Sequence, residues 1–585
     1  MLRFFYFSYS LLLFAAVGFA KDEDLAIEDR IIKRIDLHFI VKDYDSARIE
    51  LTEALQGSPH SAALWKRKVD LCCFLKQENK AFECLDQLLK LDPNSLYKQE
   101  LLEKIAWVSI IKGTEAHQLK TQVFGLISAA LTQQSQAAEL IKACLHSYNY
   151  TVRRLGVYLA GNCGYAELSK EIIELLRKEK NLEVLEETMH AIGLLSIEEA
   201  APIIKELLLK RDNLPLKIRK EGMRALVQLL KHLPSNELSV LLKNEASLMR
   251  QLACEIIIEY PQQDLIPVIL PLTNDRSSEV RVAALTAVGI ADIPLNQLED
   301  VLKHLQLAAN DIDYRVAITA NWALARLGQS CGLNGLKDWL KQEQSAIRLL
   351  AAAALAAIGP IAQNAMAEQV DLHTDPYVRA NLGLGLIGQR SNLFKAGQHI
   401  SQVLHSTEQI MIDEETHPIF SILKPSKIAL HPFIENYPEV INQITRLNLL
   451  NRLSIINFPE FRPLLEKFLK SAQLCINSVS ALTLLEEGDD NIVTAIREFL
   501  SSSNRKVAIQ AALVLALWNQ DEQAMLLLQK SYATCDYSTK LQILETIGYT
   551  KSSYTIPFLT EVVRLSPFPT LRLVAASSLI NSLNS

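Results

Sequence analysis

One arginine returns along most of this chain at a nearly constant interval. It stands at 153, 219, 250, 281, 315, 348 and 379, in segments such as "EVRVAALTAVG", "AIRLLAAAALAAIG" and "YVRANLGLGLIG". Glu186 holds the place in a degenerate copy, "EETMHAIG", and Arg572 opens a late one, "TLRLVAASSLI". From 153 to 379 the steps are 31 to 34 residues. A period of that length describes a stack of like units, none of which can bury its apolar face alone. After the arginine, small or aliphatic residues fall three, six and seven places on, as Ala284, Ala287 and Val288 or Ala351, Ala354 and Leu355. That spacing is one face of a helix, and alanine there lets the next helix approach closely. Weaker copies lie near Arg446, Cys475, Arg505 and Lys540.

Around Arg281 the pattern resembles HEAT repeats: Pro267, Asp275 and Arg281 match that family's Pro, Asp and Arg in type and spacing. The short period resembles bacterial HEAT-like arrays. The match predicts an Asp275–Arg281 contact that ties one inter-helix turn to its neighbour. The amino-terminal part has a different repeat. Ala47 pairs with Ala81, Leu51 with Leu85, Leu55 with Leu89 and Pro59 with Pro93, always 34 apart. These residues, with Trp65, resemble the tetratricopeptide repeat, although Val69 and Cys72 depart from it. The expected fold class is all-α, an α-α superhelix in which tetratricopeptide-like helical hairpins precede a HEAT-like solenoid. Hydrophobic residues at 49%, with only 7% aromatic, suit helices better than strands.

The expected organisation is a signal peptide at 1–20, tetratricopeptide-like repeats at 21–100 and a HEAT-like array at 101–395. An irregular, Pro-containing insertion or degenerate repeat follows at 396–440, and carboxy-terminal HEAT-like repeats at 441–585. Residues 405–440 hold Pro418, Pro425, Pro432 and Pro438 among Ile419, Phe420, Ile422, Phe433 and Ile434. Prolines so placed prevent long helices, while the apolar residues need burial. Either a degenerate repeat packs locally, or an insertion covers or lines the groove.

At the start, Arg3 precedes the uncharged run "FFYFSYSLLLFAAVGFA", and Gly18 and Ala20 stand before the charges that begin at Lys21. This is the pattern of a secretory signal cleaved after Ala20, the alternative being an uncleaved anchor. No later segment reaches the length of a transmembrane helix. The expected location is exported: the bacterial periplasm or cell envelope, or secreted. The nine cysteines contain no C-x-x-C and no metal framework. Most sit on helical patterns among aliphatic residues, as small buried thiols do. The odd count leaves at least one thiol free or paired between chains.

Chemistry is sparse. Gly383, Gly385 and Gly388 have dinucleotide-fingerprint spacing, yet Asp375-Pro376 upstream is a helix start rather than a strand end. The glycines read as small residues at a helix contact. HEAT-like di-iron hydroxylases bind metal through His-Glu pairs, and none of the twelve histidines here precedes Glu. HEAT-like phycobilin lyases share the fold alone. H-E-x-x-H, G-x-S-x-G and the P-loop are absent. Asp413, Glu414, Glu415 and His417 form either a metal-binding cluster or, more in keeping with such clusters, a solvated acidic loop. "EEGDDN" at 486–491 lacks the alternating ligands of a calcium loop. Lys66 stands where some tetratricopeptide domains hold a peptide carboxylate, but Asp70 would repel one.

No catalytic, cofactor-binding or metal residue is therefore assigned, no cofactor is expected, and the chain is expected not to be an enzyme. A net charge of −6 without a basic stripe argues against nucleic acid. The expected role is a non-enzymatic scaffold or adaptor that binds a protein or peptide through the solenoid surface. The alternative is a lyase-like or chaperone-like enzyme subunit that uses the groove for a small ligand or client. Oligomeric state is not legible.

Overall fold

A computed structural model describes residues 28–93, 95–210, 214–414, 416–426, 437–471 and 490–584. The signal-peptide segment, Cys475, Glu415 and residues 486–489 lie outside them. The described residues form an all-α helical-repeat solenoid with a single two-stranded hairpin among them. The chain divides into two units: residues 1–140 with 543–585, and residues 141–542.

In the second unit the repeats are pairs of helices, and in most of them an arginine lies in the first turn of the second. The helices Ser247–Glu259, Ser278–Ile290, Ser345–Ala356 and Pro376–Gly388 carry Arg250, Arg281, Arg348 and Arg379 as their fourth residue. A polar side chain often caps the entry. Asn149 accepts from the Thr151 amide at 2.9 Å and Asp375 from that of Tyr377 at 3.0 Å. Exits use left-handed residues, Gly164 at φ 74° and Gly328 at φ 79°. Ser196, Arg390 and Gln520 take similar conformations without glycine's freedom.

Successive second helices pack against each other through small residues. The Gly383–Gly385–Gly388 triplet lies inside the helix Pro376–Gly388. A Cβ on Gly385 would sit 2.8 Å from the Ala356 Cα of the preceding helix, so only hydrogen fits. Ala284, Ala287, Val288, Ala351, Ala354 and Leu355 are buried, as the helical face requires.

The arginines make a recurring clasp. Arg250 Nη1 donates to the carbonyls of Asn244 (2.8 Å) and Glu245 (2.7 Å) in its own turn. Its Nε and Nη2 reach the Asp275 carboxylate in the next turn at 2.7 and 2.8 Å. Arg153 does the same with Ser147, Tyr148 and Glu179, and Arg348 with Gln342, Glu343 and Asp375. The acid also accepts an amide of its own turn, as Asp275 does from Ser277 at 2.9 Å. The expected Asp275–Arg281 contact is thus corrected. Arg281 Nη1 meets the carbonyls of Asp275 (2.8 Å) and Arg276 (3.4 Å) and not the Asp275 carboxylate, which belongs to Arg250, while its Nη2 meets Asp311 (2.9 Å). The arginine reaches forward one repeat because its stem points along the stack. Two register assignments also shift. In the helix Tyr314–Arg326 the fourth residue is Ala317, so Arg315 comes two places early, and Leu185 rather than Glu186 is fourth in Leu182–Leu195.

In the first unit, Ala47, Leu51, Ala81 and Leu85 are buried in the helices Tyr44–Gly57 and Glu78–Leu91, which pack beside Ala62–Phe74. The helix Pro569–Leu583 packs on Lys98–Thr114 and Leu119–Leu131, joining sequence-distant segments. Gly113 makes room: a Cβ there would stand 2.5 Å from Leu573 Cδ2. Arg572 pairs with buried Glu78, which also accepts from Ser109 Oγ at 2.5 Å.

Burial alone would raise the Asp275 carboxyl, but the Arg250 and Ser277 bonds outweigh it and hold its pKa below the usual range. The pair therefore stabilises fully above about pH 4, and its contribution is lost as pH falls through the depressed value. Arg250→Ala should cost on the order of 2–3 kcal/mol in urea unfolding at pH 7, because it strands a largely buried carboxylate. Lys303→Ala, which removes an exposed pair with Glu299, should leave the unfolding midpoint unchanged.

Candidate functional site

The second helices of the repeats also present charged residues to one another. Those residues form a ladder between neighbouring helices. Arg154 meets Glu183 at 3.1 Å and Glu187 at 3.4 Å, and Lys217 meets Glu186 at 2.7 Å. His190 Nδ1 lies 2.8 Å from Glu221, which also holds Arg224 at 3.3 Å. Arg315, freed from the clasp by its early position, bridges Asp313 and Glu279 at 2.8 Å each.

Between these helices runs a groove of about 620 Å³. It crosses Leu216–Leu229, Ser247–Glu259 and Ser278–Ile290, with Leu209 at one end and Pro418 at the other. Both signs of charge line it, along with Met223, Val227, Leu248 and Ile258. Glu255 sits within it and accepts from Gln251 Nε2 at 2.7 Å. Burial pushes the Glu255 carboxyl up, and Glu279 adds to this, against the pull of Gln251, Lys220 and Arg224.

One wall of the groove is not helical. Strands Ile410–Asp413 and Ile422–Pro425 pair antiparallel, Ile410 opposite Pro425 and Asp413 opposite Ile422. Ile410, Phe420, Ile422 and Leu423 are buried, and the second strand packs on the helices Ser345–Ala356 and Pro376–Gly388. Asn381 grips the backbone of Leu423 with both ends of its amide, accepting from N–H at 2.9 Å and donating to C=O at 2.8 Å. Phe420 packs edge-on against Trp322 at 5.4 Å and stacks with His417 at 3.7 Å between ring centres.

The hairpin lies inside a repeat turn. Arg446, in the helix Tyr437–Ile455, grips the carbonyls of Leu404 (2.9 Å), Ser406 (2.8 Å) and Glu408 (2.8 Å). Its first acceptor is 42 residues upstream, where Arg281 reaches back 6. The 67 residues from Arg379 to Arg446 are therefore one repeat with a long insertion in its turn.

The acidic stretch does not behave as a solvated loop throughout. Asp413 is 5% exposed, pairs with Lys424 and accepts from Thr416 Oγ1 at 2.5 Å; His417 is 2% exposed. Thr319 Oγ1 donates to the Arg315 carbonyl at 2.6 Å, so at 3.0 Å it accepts from His417 Nε2–H. His417 Nδ1 in turn accepts from the Ile419 amide at 3.3 Å. Both ring nitrogens are engaged, and the side chains are held by packing that sequence spacing does not display. Among the described residues no three His, Cys, Asp or Glu side chains gather as a metal site.

At the tetratricopeptide-like position, Lys66 lies over the Tyr97 ring, 3.4 Å from its centre, and 3.6 Å from Glu100. Asp70 is tied to Lys104 at 2.7 Å. These charges already neutralise one another within the first unit.

No family model and no curated protein matches the chain. Among solved structures it is similar to the myosin chaperone UNC-45 from C. elegans in complex with an Hsp90 peptide. The identity is 13%, covering 94% of this chain and 81% of that one, with a TM-score of 0.31. It is also similar to the karyopherin Kap121p bound to Pho4p, at 13% identity, 92% and 67% coverage and TM-score 0.35. Human deoxyhypusine hydroxylase covers 45% of this chain with 98% of its own length, at 14% identity and TM-score 0.21. At these values the likeness is one of helical-repeat fold.

Burial, reinforced by Arg315, pushes the His417 pKa down from 6.5 to about 3. The folded chain thus prefers the neutral ring, an advantage complete above pH 6.5 and lost as pH falls toward 3. Urea unfolding of the wild type should lose on the order of 4 kcal/mol across that window beyond what His417→Gln loses. Parallel pH profiles would remove His417 from this role.

Proposed function

We propose that this chain is a non-enzymatic scaffold that binds a polypeptide segment in the groove beside the hairpin. The observation that carries this reading is the form of the groove. It crosses three successive helices, which at ~10 Å spacing is roughly 20–30 Å, the length of about six to nine extended residues. Apolar side chains and charges of both signs line it together, as an extended chain with mixed side chains needs. Two of the three helices it crosses, Ser247–Glu259 and Ser278–Ile290, are fixed at their starts by the clasp, so that part of the binding face is set before a partner arrives.

Leu209 is exposed and Ile258 half-buried in the groove, so Leu209→Asp with Ile258→Asp should leave folding intact. A polypeptide that co-purifies with the wild-type chain should be lost from the double variant at unchanged melting temperature. Retention of that polypeptide would move the site off the groove. A small molecule retained by the wild-type groove in native mass spectrometry, with no polypeptide, would favour the lyase-like alternative.

The proposed setting is the bacterial envelope or the exterior, supported by the apolar run before Lys21. In this reading the tetratricopeptide-like start and the short HEAT-like repeats belong to an exported array. Terminal sequencing of the mature protein should begin at Lys21. A membrane-bound form beginning at Met1 would mean an anchor.

A further inference from the structure

The charges of the groove are sorted along its length. At the Leu209 end the helix Leu216–Leu229 contributes Arg219, Lys220 and Arg224 to the lining. Glu221, between them in sequence, does not line the groove and is shared by His190 at 2.8 Å and Arg224 at 3.3 Å. The next helix, Ser247–Glu259, contributes Glu255 and, one turn on, Glu259, while the hairpin contributes Glu414. Between that helix and the hairpin, Glu279 and Arg315 cancel each other at 2.8 Å. The lining therefore holds four cations and four carboxylates, cationic at one end and anionic at the other. Glu255 is partly buried, and its hydrogen bond among the described residues comes from the neutral Gln251 amide at 2.7 Å.

We propose that the groove takes an extended segment of sorted charge, its Asp or Glu over Leu216–Leu229 and its Lys or Arg at Glu255 and the hairpin end. This partner rests on the reading that the groove binds a polypeptide, and it adds the chemistry and the polarity of that polypeptide. Charge complementarity selects it. A wholly acidic segment is repelled at Glu255, Glu259 and Glu414, and a wholly basic one at Arg219, Lys220 and Arg224. Each loses at one end what it gains at the other. A segment with its signs sorted gains at both.

The spacing follows from the helices. They lie ~10 Å apart and an extended chain rises about 3.3 Å per residue, so the two signs belong about three to six positions apart. Met223, Val227 and Leu248 line the stretch between and meet apolar side chains of the same segment. Glu255 gains most from the cation. Burial pushes its carboxyl up and Glu279 adds to this, against the pull of Gln251, Lys220 and Arg224. A Lys or Arg head beside it offsets the cost of holding that charge out of water.

The test measures binding of labelled, acetylated and amidated nonapeptides to the full chain by fluorescence anisotropy. One peptide has two Glu near its amino end and two Lys near its carboxy end. A second has the reverse order, a third alternates the four charges, and a fourth carries Gln in their places. One of the two sorted peptides should bind about tenfold tighter than the alternating and neutral ones. Glu255→Gln and, separately, Arg224→Gln should remove most of that advantage and leave the neutral peptide's affinity unchanged. Leu209→Asn with Ile258→Asn, which adds no charge, should weaken every peptide that binds. Melting temperatures report whether each variant folds, and Arg224→Gln, at an exposed residue, carries the test where Glu255→Gln does not fold. If all four peptides bind alike and all are lost in the Leu209–Ile258 variant, the sorted partner is overturned and the polypeptide groove stands. A sorted advantage that survives both charge variants overturns it as well. Binding that persists in the Leu209–Ile258 variant overturns the groove and the sorted partner together. If no peptide binds, the sorted partner is overturned and co-purification alone decides the groove.

Discussion

The arginine clasp is the interaction on which the repeat stack depends. A turn between two helices leaves carbonyls with no helical partner. In four repeats one guanidinium serves the carbonyls of its own turn and a carboxylate in the next. That carboxylate accepts an amide of its own turn as well, as Glu179 does from Asn181 at 2.8 Å and Asp311 from Asp313 at 2.9 Å. Each turn is thereby tied to its neighbour. Arginine suits the place because its planar fork can bind two acceptors on different chain segments at once.

Fixing the turns leaves the rest of each second helix free to vary. Small residues hold the helices close, and the polar ladder from Arg154 to Arg315 runs along the face so formed. Because the ladder's charges are already paired with one another, the face adds little net charge. A partner must therefore exchange ion pairs rather than simply neutralise a patch, which favours selectivity over strength.

The repeat period, the helical face and the buried alanines were legible because they are local: each depends on residues a few places apart. Gly385 read as a packing glycine for the same reason, since its place matches Ala354 in the preceding copy. What escaped reading depends on distant segments. Nothing near Arg281 distinguishes Asp275, 6 residues back, from Asp311, 30 residues on. Arg315 looked like a clasp residue because periodicity tolerates an error of two, whereas helix register does not. The Glu78–Arg572 pair and the seat of Pro569–Leu583 on Lys98–Thr114 join residues hundreds apart in sequence, which no repeat pattern encodes. The 67 residues between Arg379 and Arg446 are two periods in length yet hold one repeat, because the insertion is about one period long.

That insertion also shows how the clasp makes room for a functional element. Arg446 closes its turn on carbonyls up to 42 residues upstream, so the repeat continues across the break. Lengthening the link from 6 to 42 residues costs roughly 2 kcal/mol in closure entropy, because that cost grows only with the logarithm of length. Burying one Phe420 or Leu423 side chain recovers about as much. The hairpin is then held at three kinds of contact: Asn381 on its backbone, Trp322 against Phe420, and Thr319 on a neutral His417. A segment so anchored is a wall of the groove rather than a flap across it. A ligand that displaced it would expose Phe420 and Leu423 and leave the Asn381 side-chain oxygen without the Leu423 amide, so binding beside the hairpin is favoured over binding in its place.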